Sequence, residues 1–491
     1  MAGTHVRAEV ARFAAAPVLG VAVVLAAILT ALSDRYGFHR DELYFLVAGH
    51  HPAWGYVDQP PLTPLVARLS TAVFGDTPAG LRVVATLACA ATVVIVATVA
   101  RELSGGRAAQ VLAAACTAVS GFIVAVGHMV STATFDVVAW LVLCLLVLRL
   151  LRTGDRRLWI AVGAAVGVGM ENKYLVALLV VALLAALIAT GPRHVLRGWW
   201  PTAGAAVALA VALPGLLWQG AHDWPQLTVA GGISTDEGAE NRVLFVPQQI
   251  VYLSPVFVPA WIAGGLRLWR DPALRWARAF APAYLVLAVL VVASGGKPYY
   301  CLPILLVLLA AGCVTAADRP RRMWSGVAVT AVITSFISLP VLPPQALAVT
   351  AAINKEQGEQ IGWPELADAV ADAWSDIPAG ARDRAVILTQ NYGEAGALDH
   401  FGPRLGLPAP YSAHMSFADW GPPPDSADGP VLLIRQEQAE GLERHFTGCR
   451  PVGRVDNGQD VDNEEQHAAI VLCTGTTEPW STLWPSLRHY Y

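Results

Sequence analysis

Long apolar runs separated by short polar links fill residues 1–342. Eleven runs approach the roughly 20 apolar residues that a helix needs to cross a bilayer. They lie at 13–33, 80–100, 108–127, 130–150, 158–170, 174–191, 200–218, 247–266, 277–294, 300–316 and 323–341. The run at 158–170 is short, so the count carries a tolerance of one or two. The first run follows Arg7 and Arg12. It exceeds the roughly 7–15-residue core of a signal peptide, and it reads as a retained first helix.

After Pro343 the pattern changes to ordinary polar sequence with turns such as Gly421-Pro422-Pro423-Pro424. A helical stretch from Trp363 to Trp374 precedes three β-type runs, at 385–388, 431–434 and 469–472. The predicted fold is therefore a polytopic, all-α membrane bundle of about eleven transmembrane helices over 1–342. A small α/β domain over 343–491 follows it.

Composition agrees. Charged residues make up 14% of the 491 positions and hydrophobic ones 55%, against roughly a quarter charged in soluble domains. The net charge of −4 gives no basic footprint for nucleic acid. Basic residues fall in alternate gaps between the runs: Arg7/Arg12, Arg101/Arg107, Arg149–Arg157, Arg193/Arg197, Arg267–Arg278 and Arg319–Arg322. Cytoplasmic loops carry such an excess. The rule puts the N-terminus inside a cell membrane and the C-terminal domain outside, where a Cys449–Cys473 disulfide is permitted. Paired cysteines and two free thiols both remain open.

The outer face then receives most of the chemically interesting residues. The first outer loop, 34–79, carries Asp41, Glu42 and Asp58 among aromatics, with Gln59-Pro60-Pro61-Leu62 next. The stretch from Leu43 reads as a helix with Asp41 and Glu42 in its first turn, where backbone N–H groups favour anionic side chains. Pro60-Pro61 suits the start of a second short helix. An Asp-Glu pair at a helix start is, taken alone, a plain cap. Lysine occurs three times, as Lys173, Lys297 and Lys355. The first two lie in outer turns, Glu171-Asn172-Lys173 and Gly295-Gly296-Lys297-Pro298-Tyr299-Tyr300, at head-group level. A phosphate suits such ammonium groups, and snorkelling to ordinary lipid is the bland alternative. Asp136 lies inside the fourth run, where a carboxylate marks either function or an ion pair.

Asp41-Glu42, Asp58-Gln59-Pro60-Pro61-Leu62, Gly295–Tyr300 and Asn391-Tyr392-Gly393-Glu394-Ala395-Gly396-Ala397 together resemble the GT-C class of polyprenyl-phosphate-sugar-dependent glycosyltransferases. The similarity is to the group of protein O-mannosyltransferases and lipid A aminoarabinose transferases (family 39/83-like). It implies an inverting transfer from a lipid-phosphate sugar to an acceptor hydroxyl on the extracytoplasmic face. It implies Asp41 and Glu42 as catalytic residues. Lys297, Lys173, Asp58, Gln59, Tyr299 and Tyr300 would hold donor and phosphate. The acceptor could be a glycolipid, a polysaccharide or a protein, and membrane lipid surrounds the bundle. The aminoarabinose transferases have Lys where this chain has Gln59, so another cation must meet the phosphate here. No cofactor is demanded; a divalent metal ion on Asp58, His128 and His222 is an open alternative without supporting ligand spacing. Asn391, Glu394, His400 and His414 are the polar candidates of the C-terminal domain for acceptor selection. A polytopic transporter or lipid-linked-sugar flippase is the rival reading; no repeated halves support it.

Overall fold

The computed structural model describes residues 10–490, except the side chains of 437–440; Arg7 lies outside the described residues. The protein is mostly helical. Its membrane part runs α1 (Ala15–Leu32), α2 (Arg40–His50), α3 (Leu62–Phe74), α4 (Pro78–Glu102), α5 (Arg107–Ala118), α6 (Gly121–Gly127), α7 (Thr132–Thr153), α8 (Leu158–Met170), α9 (Val176–Thr190) and α10 (Trp200–Ala221). It continues through α11 (Pro225–Asp236), α12 (Gly238–Leu253), α13 (Val258–Arg270), α14 (Phe280–Ser294), α15 (Leu302–Ala316) and α16 (Pro320–Ser338).

Of the eleven apolar runs, two are bent and three form shorter apolar helices, α8, α9 and α14. Among the described residues, five helices are long and apolar enough to cross a membrane, or up to seven if each bent pair is one span. The run at 108–127 bends by 61° between α5 and α6, and the run at 247–266 by 86° between α12 and α13. At the second bend Ser254 takes φ 136 before Pro255, whose missing N–H cannot continue the helix. Hydropathy records apolarity, not direction, so both runs look continuous in sequence.

Small residues let the helices approach closely, as expected where lipid supplies no hydrophobic drive for association. A Cβ on Gly163 of α8 would sit 2.0 Å from the Gly204 carbonyl oxygen of α10. On the basic side of the bundle, Glu102 is buried and accepts from Arg149 Nε at 2.9 Å and Arg152 Nε at 2.7 Å.

Residues beyond 343 add α17 (Trp363–Ser375), α18 (Ala379–Arg382), α19 (Tyr392–Phe401) and α20 (Trp480–Leu487). The strands are β1 (Val386–Thr389), β2 (Tyr411–Ser412), β3 (Val431–Arg435), β4 (Phe446–Thr447), β5 (Arg450–Arg454), β6 (Ala469–Cys473) and β7 (Gly475–Thr476). Five strands form one sheet in the order β2-β1-β3-β6-β5, and β4 pairs with β7. β1 runs parallel to β2 and β3, and β6 antiparallel to β3 and β5. Successive residues face opposite sides. Ile387 and Leu432 meet Trp363 and Leu366 of α17, whereas Val386 and Leu433 meet Trp480 and Trp484 of α20. Covered on both faces, β1 and β3 are buried throughout, which explains their unbroken apolar runs. Cys449 and Cys473 are disulfide-bonded.

The core of this sheet does not stop at its own boundary. One hydrophobic cluster joins Ile387, Leu432 and Trp363 to Phe38, Leu43, Tyr44 and Phe45 of the first loop. The loop after α1 is thereby fixed between the bundle and the sheet.

Candidate active site

His39 caps α2. Its Nδ1 accepts the Asp41 N–H (3.1 Å), and its own N–H donates to Glu42 Oε2 (2.8 Å), which makes a capping box. With Nδ1 accepting, Nε2 carries the hydrogen that reaches Glu356 Oε2 at 3.1 Å. Burial pushes the Glu356 carboxyl up, but the His39 hydrogen bond and the nearby Lys297 and Lys355 charges outweigh it and hold it down to about 2.

The two acidic neighbours then diverge by one helical step of about 100°. Glu42 turns inward and is fully buried. Arg82 of α4 donates Nε to its Oε1 (2.9 Å) and Nη2 to its Oε2 (2.7 Å), and the Val130 N–H donates to Oε1 at 2.8 Å. The remaining Arg82 donors reach the carbonyls of Ser33 (2.6 Å) and Gly37 (2.7 Å). Burial alone would raise the Glu42 carboxyl; the Arg82 charge and these hydrogen bonds lower it instead.

Asp41 stays partly exposed. Its Oδ1 accepts the phenol of Tyr392, at the start of α19, at 2.8 Å. Asp58 lies close by in the turn before α3, and its Oδ1 accepts the Tyr44 phenol at 2.6 Å. Burial pushes the Asp58 carboxyl up to about 6, against the pull of the Tyr44 hydrogen bond; Asp41 adds to the rise and Lys173 opposes it. Gln59 is buried with neither amide atom partnered among the described residues.

The turn from α8 to α9 forms the opposite wall. Its Glu171 carbonyl accepts the Leu62 N–H at 3.0 Å, tying it to the first loop. Asn172 accepts from Thr63 Oγ1 (2.8 Å) and donates to Asp136 Oδ1 (2.7 Å). Asp136 is thus a buried support beneath the turn. Lys173 Nζ lies 3.3 Å from the Tyr299 hydroxyl and 5.2 Å from the Tyr300 ring centre. No carboxylate comes within 4.0 Å of it among the described residues, whereas Lys297 pairs with Glu237 at 3.2 Å, each about a third exposed. Asp58, Lys173, Tyr299 and Tyr392 each keep some accessible surface, and the Asp41 and Lys173 charges both act on Asp58. Nearby, Met170, Ala212 and Leu216 form one end of an apolar groove of about 390 Å³ between α7, α8, α9 and α10.

Asp41, Asp58, Lys173, Tyr299 and Tyr300 therefore gather in one region, with Glu42 behind them and Lys297 engaged elsewhere. The metal alternative finds no support in position. His128 bonds the Leu32 carbonyl (2.8 Å), and His222 is exposed and stacked on Trp218. Among the described residues no three His, Cys, Asp or Glu side chains are grouped to hold a metal. Asn391 and Glu394 cap α19. His400 packs on Phe38 beside Asp76, and His414 stacks on Tyr392. Sequence reading missed Tyr392, although it stands inside a motif already singled out. A phenol next to a helix cap carries no sequence signal of its reach.

The chain superimposes on ArnT from Cupriavidus metallidurans bound to undecaprenyl phosphate with a TM-score of 0.58, at 15% identity, over 92% of this chain and 97% of that one. The apo state of the same protein gives 0.58 at 14% identity, over 96% and 99%. The chain has the GT-C glycosyltransferase fold. Arabinofuranosyltransferase AftD from Mycobacteria shares this fold at a TM-score of 0.51 and 12% identity; the match takes in 94% of this chain and 40% of that longer one. The family profile described as dolichyl-phosphate-mannose-protein mannosyltransferase matches residues 58–218, from Asp58 through α10. No curated protein sequence matches the chain. The expected resemblance to the mannosyltransferase and ArnT group holds, and with it a multi-pass membrane protein.

Proposed function

We propose that this protein is an inverting glycosyltransferase that moves a hexosyl or pentosyl group from a polyprenyl-phosphate donor to an acceptor hydroxyl on the extracytoplasmic face of the cell membrane. The observation that carries the reading is the gathering of the Asp41 and Asp58 carboxylates with Lys173, whose ammonium has no carboxylate within 4.0 Å among the described residues. A buried ammonium that no carboxylate contacts is costly, and a lipid phosphate at this level would contact it.

In this reading Lys173 and the Tyr299 hydroxyl hold the donor phosphate, and the apolar groove beside Met170 takes the first isoprenyl units. Asp41 removes the proton from the acceptor hydroxyl. The acceptor oxygen attacks the anomeric carbon, the bond from that carbon to the phosphate oxygen breaks, and lipid phosphate leaves from the opposite face. The lysine offsets charge growing on the leaving oxygen. Asp58 and Gln59 orient the sugar, Glu42 holds the first turn of α2 in place, and Lys297 stands at the rim. The Cys449–Cys473 disulfide supports an oxidising compartment for the C-terminal residues. A glycolipid, a polysaccharide or a protein hydroxyl would each suit Asp41.

The test is release of lipid phosphate from labelled polyprenyl-phosphate hexose and pentose donors by purified protein. Wild type should turn over, and Asp41→Asn should lose about 10²–10⁴ in rate with its thermal midpoint unchanged. Equal turnover by both would remove Asp41 from the chemistry.

A further inference from the structure

We infer that Tyr392 is a positioning residue for Asp41, so that the C-terminal sheet domain supplies part of the active site. This rests on the assignment of Asp41 as the base. A carboxylate on the first turn of a helix has free χ1 and χ2 rotations, and a base must hold one oxygen toward the proton it takes. The Tyr392 phenol donates the one side-chain hydrogen bond that Asp41 receives among the described residues, at 2.8 Å to Oδ1. That bond pins one oxygen and leaves the other for the acceptor hydroxyl.

The phenol is itself held from several sides. Its ring stacks on His414 with centroids 5.1 Å apart, lies 5.0 Å from the Tyr44 ring, and carries the Arg40 guanidinium 5.1 Å from its centre. Its backbone N–H donates to His414 Nδ1 at 3.3 Å. The helix below it cannot slide away. A Cβ on Gly396 would come within 2.9 Å of Leu43, so α19 lies directly on α2. Asn391 and Glu394 fix the first turn of α19 by a reciprocal cap. Burial and the Asp41 charge push the phenol well above its ordinary value, which keeps it a donor across working pH.

Steady-state kinetics with a labelled polyprenyl-phosphate sugar would compare Tyr392→Phe, Asp41→Ala and the double variant, beside thermal midpoints in detergent. Removing the phenol should lower kcat about tenfold, the worth of one hydrogen bond of roughly 1.4 kcal/mol. The donor KM and the midpoint should stay unchanged. In the Asp41→Ala background the same change should have no further effect, because the residue it positions is gone. An unchanged kcat in Tyr392→Phe, or a loss that multiplies with Asp41→Ala, would overturn the inference. If Asp41→Ala turned over like wild type, the assignment of the base would fall, and this inference with it. If Asp41→Ala were inactive and Tyr392→Phe normal, the inference alone would fall.

Discussion

Two polar regions lie back to back across the first turn of α2, and they are built on opposite principles. Behind the helix, Glu42 and Arg82 form a closed knot in which each carboxylate oxygen takes two hydrogen bonds. In front of it, among the described residues, Asp41 receives one side-chain bond, the Gln59 amide has none and Lys173 has no carboxylate within 4.0 Å. Satisfied groups rigidify; unsatisfied ones can take a ligand. Adjacent residues of the same charge thus sit in opposite surroundings, one closed and one open, and neighbours in sequence need not share an environment.

The knot should be the more costly to break. Arg82→Met leaves Glu42 charged, buried and unpaired, a loss of about 3–5 kcal/mol in stability. Denaturation in detergent should show it as a large fall in the midpoint. Pairing it with Glu42→Gln should recover part of that loss.

In front of the helix, Lys173 and Lys297 should separate. Lys173→Met should lower kcat/KM for the lipid donor about 10²-fold, as loss of a preorganised charge contact does. Lys297→Met should cost about threefold or less, because its surface pair with Glu237 is already screened by solvent. Equal effects would place the phosphate between the two turns and blur the contrast drawn here.

The smallest effect concerns the hinge between the two regions, His39. Glu356 is held down to about 2, against 4.5 for an ordinary glutamate. A depressed carboxyl adds stability above its unfolded value and loses it as the pH falls through the folded one. Docking of the C-terminal residues on the first loop should hold down to about pH 4.5 and weaken toward pH 2. Glu356→Gln should flatten that part of a stability-against-pH curve.

Much of this was legible in the sequence, for physical reasons. Apolar runs report a lipid environment directly, so the multi-pass character was visible. The capping signal around Asp41 is local, and so is the helix start it predicts. The bends at Ser120 and Ser254 were not visible, since an apolar run reads the same straight or broken. Glu42 looked as reactive as Asp41 because its fate depends on Arg82, on another helix. Lys297 looked the stronger candidate than Lys173 in the sequence, where its contact with Glu237, in another segment, does not show. Tyr392 went unnoticed because its reach to Asp41 depends on how α19 lies across α2.

That crossing also has a meaning in time. Asp41 and Tyr392 are 351 residues apart. At a synthesis rate of roughly 5–20 residues per second, the acidic turn leaves the ribosome roughly 20 to 70 seconds before the phenol that braces it. Through that interval Asp41 is without the phenol that bonds it in the folded chain. The bond between them can form only once the later-made layer settles onto the earlier-made loop.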